Sequence, residues 1–106
     1  MRIAVVGPRS FGDWDVVCEV MECLVDIYEG AEFVSGNDKG FDAIVAEWCE
    51  KNAYHVEVKP CEEIVARCDQ LIAFWDGASP EPFRSIREAV KAGKFVQIFS
   101  TKGEYN

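Results

Sequence analysis

Apolar residues along this 106-residue chain follow two rhythms: compact β-branched runs, and stretches where they recur every three or four positions. Arg2 to Val6 is a mostly apolar run ending at Gly7, the pattern of a strand buried on both faces, as in a parallel sheet. From Asp13 onward Val16, Val17, Val20, Met21, Leu24, Val25 and Tyr28 fall at helical spacing, with Asp13 or Asp15 as cap and Gly30 as the stop. Glu32 to Val34 is a short second strand, and a helix over about Gly40 to Asn52 puts Phe41, Ile44, Val45 and Trp48 on one face. Tyr54, Val56 and Val58 alternate with His55 and Glu57 as an exposed edge strand does, before Pro60 breaks the chain. A short helix around Glu62 to Arg67 leads into a strand from Leu71 to Trp75. The segment GASPEP reads as a loop, Phe83 to Ala92 as a helix closed by Gly93, and Phe95 to Phe99 as a last strand.

Strands and helices alternate throughout, with short connections, so the chain is expected to form one layered α/β domain over residues 1–106 around a mostly parallel, five-stranded sheet. Right-handed crossovers then bring the turns after Val6, Val34 and Phe74 to one rim, at the carboxyl ends of the strands. Ligands of such sheets bind in the crevice there, where the strand order reverses.

Composition narrows the function classes. Nineteen acidic residues against eleven basic ones give a formal charge of −8, which disfavours DNA or RNA as a partner. No apolar run approaches the ~20 residues needed to cross a bilayer, and the front of the chain is too short in apolar residues for a signal-peptide core, so a cytoplasmic location is expected. The cysteines (Cys18, Cys23, Cys49, Cys61, Cys68) show no C-x-x-C or Cys/His ligand spacing, which reads as reduced structural thiols and no metal site. His55 is the sole histidine and falls on the edge strand, away from the rim, and no nucleophilic triad is recognisable.

Candidate chemistry concentrates in the three turns. In the first, Gly7-Pro8-Arg9-Ser10-Phe11, Arg9 offers a planar fork of donors to a phosphate or carboxylate, beside the Ser10 hydroxyl. Phe11 either stacks on a base or plugs the core. In the second, Ser35 to Asp42, Gly36 and Gly40 permit dihedrals that cost other residues ~1–2 kcal/mol, and Lys39 can neutralise an anion at a helix start. The third carries Asp76, able to bond ribose hydroxyls, to activate water or simply to fold its own turn, next to the stacking face of Trp75. Neither the Walker pattern nor G-x-G-x-x-G is present, and no cofactor is implied.

GPRSF after the first strand, VSGNDKGFDAIVAEW at the second, and LIAFWDGAS before a helix ending AGKFVQIF together resemble the YspA-like family of the SLOG superfamily. That superfamily of Rossmann-like three-layer proteins also holds the DNA-processing protein DprA and the LOG phosphoribohydrolases that release cytokinin bases. The family pattern runs approximately GSRxF, SGGAxGAD and AFWDGxSxGT. Matching positions are Gly7, Arg9, Ser10 and Phe11; Ser35, Gly36, Gly40 and Asp42; and Phe74, Trp75, Asp76, Gly77 and Ser79. The resemblance implies binding of a nucleotide or nucleotide-derived signal, as a sensor or sequestering protein in a bacterium or its phage. Arg9, Ser10, Lys39 and the backbone near Gly36, Asn37 and Gly40 would hold phosphate, and Asp76 and Trp75 would meet ribose and base.

Departures from the pattern are concentrated where phosphate would sit. Pro8 replaces a serine, Asn37-Asp38-Lys39 replaces Gly-Ala-x with Asn37 left to make the turn in left-handed geometry, and Glu81-Pro82 replaces a Gly-Thr at a helix start. The Gly-rich and Arg-Asn segment of the family has no counterpart between Val58 and Ala66, leaving Arg84 and Arg87 to compensate. Two further readings follow. One is an N-glycosidic hydrolase or transferase using Asp42, Asp76 or Glu81. The other is a degenerate member acting through a protein partner or as a homodimer, with Trp14, Trp48, Tyr54 and Phe83 at an interface.

Overall fold

A computed structural model of the chain describes residues 1–101. Five strands, β1 (Arg2–Val6), β2 (Glu32–Ser35), β3 (Val56–Val58), β4 (Gln70–Trp75) and β5 (Phe95–Ser100), alternate with four helices, α1 (Trp14–Ile27), α2 (Phe41–Lys51), α3 (Cys61–Ile64) and α4 (Pro80–Lys91). A 3-10 turn, Val65–Arg67, extends α3. The sheet order is β3-β2-β1-β4-β5, and every strand pair is parallel, so the expected mostly parallel sheet is wholly so. The chain walks outward from β1 to β3, then crosses to the other side for β4 and β5, and the strand order therefore reverses between β1 and β4.

Alternating side chains of the central strands feed two cores. Ile3 and Val5 of β1, with Phe33, Ile72 and Phe74, meet Val17, Met21 and Leu24 of α1 and Phe41, Val45 and Trp48 of α2. Ala4 and Val6, with Val34, Leu71 and Ala73, meet Ile64, Val65, Ile86 and Ala89 from the α3–3-10 unit and α4 on the opposite face. Two-residue periodicity inside the strands and helices on both sides give three layers, as expected of a Rossmann-like fold. Trp48 is only 3% exposed and so belongs to the core, where it stacks on the half-buried Tyr54 at 5.5 Å between ring centres.

Local signals were placed well at the helix ends. Asp13 is the cap of α1, its Oδ1 accepting from the Val16 N–H at 3.2 Å, and Gly30 and Gly93 follow their helices with φ of 74° and 73°. The expected loop GASPEP is a correction: α4 begins at Pro80, with the proline in its first turn, where a missing N–H costs nothing. At the two open edges the strands differ. β3 is short, whereas β5 leaves Phe95 and Ile98 at 64% and 48% exposure.

Candidate functional site

The rim at the carboxyl ends of the strands is built by packing loops against one another. Gly40 lies so close to the carbonyl oxygen of Arg9 that any side chain there would overlap it, which welds the second turn to the first. Phe11 resolves to a plug: its ring stacks on Phe74 at 5.7 Å and leans on Phe41 at 6.2 Å. Gly36 is constrained by a side chain instead, because the carboxylate of Asp42 occupies the space a Cβ would need. Neither Gly36 nor Gly40 adopts a left-handed φ, and neither does Asn37; close approach, and not backbone freedom, requires the two glycines.

Asp42 is the electrostatic centre of the second turn. Its Oδ2 accepts from the Asp38 N–H at 3.2 Å, and its backbone carbonyl accepts from the buried Ser35 hydroxyl at 3.4 Å. Burial pushes the carboxyl up from its ordinary 3.8 to about 6; the backbone N–H groups of Asp38 and Gly36 oppose the rise, and the negative side chains of Asp38 and Glu81 add to it. The third turn behaves otherwise. Asp76 accepts from the Ala78 N–H at 2.8 Å, the Ser79 N–H at 2.7 Å and the Ser79 hydroxyl at 2.6 Å. Those bonds, the hydroxyl foremost, hold its carboxyl down at about 2. Trp75 is also engaged internally, its indole N–H donating to the Ser79 carbonyl at 2.9 Å and its ring stacked on Phe83 at 5.5 Å.

Two adjoining depressions open on this rim. The inner one, about 270 Å³, sits between α3 and α4 over the ends of β1 and β2. It is lined by Gly7, Gly36, Asn37, Asp38, Asp42, Pro60, Cys61, Glu62, Glu81, Pro82 and Ser85, with Val6 and Ile64 at its base. The outer one, about 580 Å³, spans the reversal between β1 and β4, from Pro8, Arg9 and Ser10 to Ser79, Pro80, Glu81 and Pro82. Glu81 and Pro82 border both. Such a concave site at the switch point of a parallel sheet is where ligands of this architecture bind.

A family model described as the YspA, cpYpsA-related SLOG family, YAcAr, matches residues 1–62. The chain belongs to this family. Searches of curated proteins and of solved structures found no match. The YAcAr match spans β1 to the start of α3, and so covers the first two turns and part of the α3 wall, while Glu81, Pro82 and Ser85 on the opposite wall lie beyond it.

Of the residues singled out in the sequence of this YAcAr chain, Gly7, Gly36, Asn37, Asp42 and Glu81 meet at the inner cavity. Arg9, Ser10, Ser79 and again Glu81 meet at the outer groove. Lys39 is exposed and lines neither; nor do Trp75, Asp76 and Gly77, while Ser35 and Gly40 support the second turn from beneath and beside. Arg9 does not stand free: its Nη2 lies 3.3 Å from Asp38 Oδ1. Arg84 pairs with Glu88 at 3.7 Å, and Arg87 is exposed. Pro60, Cys61, Glu62 and Ser85 were not anticipated. For the first three the signal was available, since the connection after β3 must reach the same rim as the other strand ends; Ser85 lies within α4. Burial pushes the Cys61 thiol up, against a bond with Ser85. Among the described residues no group of three or more His, Cys, Asp or Glu side chains is arranged to hold a metal ion, and no helix is long and apolar enough to cross a membrane.

Proposed function

We propose that this YAcAr domain binds a nucleotide-derived small molecule in the paired depressions at the strand ends, acting as a sensor or a sequestering module. The observation that carries the reading is the location of a cavity and an adjoining groove at the reversal of strand order, walled by turns that carry the family's motifs. Within them, carboxylates can accept from ribose hydroxyls and base amino groups, and the Ser10 hydroxyl can donate or accept at the outer groove. The test is calorimetric titration of a panel of nucleosides and nucleoside monophosphates against the wild type and Cys61→Trp, a change that fills the inner cavity from its α3 wall. Binding lost in Cys61→Trp with an unchanged thermal melt supports the site; undiminished binding puts the ligand elsewhere.

A second reading, cleavage of an N-glycosidic bond, is favoured by one specific observation. Asp42 and Glu81 line the same cavity in different environments, one recessed and one exposed. With Asp42 pushed up to about 6, roughly a tenth of the molecules carry its proton at pH 7, available to a departing base, while Glu81 stands where it can stabilise an oxocarbenium-like centre or orient water. Chromatographic detection of free base from nucleoside monophosphates or NAD, abolished in Asp42→Asn, is the expected result. No base released under any condition that saturates the binding site leaves the binding role alone.

A further inference from the structure

We infer that the inner cavity receives the uncharged or cationic part of its ligand, a nucleoside sugar and base, and turns a phosphate away. This rests on the reading of the depressions as the ligand site and goes beyond it by naming what the deeper one selects. Its lining holds the carboxylates of Asp38, Asp42, Glu62 and Glu81 and not one lysine, arginine or histidine. A phosphate brought there would face several like charges at close range, and the lining itself offers no cation to offset them.

Beside the cavity, part of the backbone that could have met an anion is already engaged or lacks an N–H. In the turn before α2, the Asp38 N–H is held by Asp42, whose carboxylate lies over Gly36. At the start of α4, Pro80 and Pro82 have no N–H to offer, and the N–H groups of Ala78 and Ser79 are given to Asp76. The nearest cation, Arg9, borders the outer groove and is paired with Asp38. Hydroxyl and amino hydrogens, by contrast, find acceptors on several sides of the cavity, since each ionised carboxylate accepts and never donates.

The experiment is titration of the full chain, at pH 7.5 and low salt, with adenosine, guanosine, cytidine and uridine and with their 5′-monophosphates. At least one nucleoside is expected to bind about tenfold more tightly than its monophosphate. In Asp42→Asn/Glu81→Gln the preference should shrink to about threefold or less, through tighter binding of the monophosphate. Glu81→Gln alone, at an exposed position, should move the ratio in the same direction and guards against misfolding of the double variant. A monophosphate that binds as well as or better than its nucleoside overturns the inference and leaves the proposed site standing, as does a preference that neither variant moves. Failure of every probe to bind overturns both.

Discussion

Replacing Asp42 by asparagine isolates the energetic cost of the carboxylate held in the second turn. Its carboxyl is raised from 3.8 to about 6, chiefly by burial. In the folded chain the proton is therefore held more tightly than in the unfolded one. Stability contributed by that proton is complete below about 3.8, declines as pH rises toward 6, and is lost above it. At about 1.4 kcal/mol per tenfold change in proton affinity the gap is worth at most ~3 kcal/mol. The group is half-buried, so solvent screening leaves about 1–2 kcal/mol. Asparagine keeps a carbonyl oxygen for the Asp38 N–H and never ionises. The expected outcome, from urea unfolding between pH 3 and 8, is that Asp42→Asn gains on the wild type by about 1–2 kcal/mol as pH rises across that range, with most of the change below pH 7. Two parallel stability curves would show that the carboxylate is not under electrostatic stress and would remove the argument for it as a proton donor.

Asp76 carries the opposite sign. Its carboxyl is held down at about 2 by bonds within its own turn, so Asp76→Asn should lower the melting temperature at pH 7, with the difference fading as pH falls from about 4 toward 2. Gly40→Ala should cost about 1–3 kcal/mol in chemical denaturation, because the new methyl meets the Arg9 backbone and not a movable side chain. Phe74→Ala should cost about 3–5 kcal/mol by the same assay, since Phe74 is 1% exposed and packs on Phe11, Phe41 and Phe99.

The architecture was readable from the chain because both of its periodicities are strong. β1 is apolar on consecutive positions because helices cover both faces, and α1 and α2 show one apolar stripe each because only one side meets the sheet. The start of α4 was set three residues too late: prolines that look like loop formers are well suited to a first helical turn. Site chemistry was harder to read. Arg9 and Lys39 looked equivalent in sequence, yet one borders the groove and the other lines neither depression, a distinction that spacing does not carry. Asp76 looked like a ligand residue and a turn former at once; three short bonds to Ala78 and Ser79 realise the turn former. The gathering of carboxylates from α2, α3 and α4 around one cavity had no local signature, since Asp38 and Glu81 are far apart along the chain and meet only through the crossover.

The central position of β1 has a consequence for how the protein is made. Of the five strands described, the earliest in the chain is the one flanked on both sides, and its second neighbour, β4, begins at Gln70, with the Arg2 N–H waiting for Asp69 Oδ2 at 2.8 Å. Until that late segment leaves the ribosome, a mostly apolar ribbon presents an unpaired flank to the cell, an invitation to wrong partners that only the arrival of β4 withdraws.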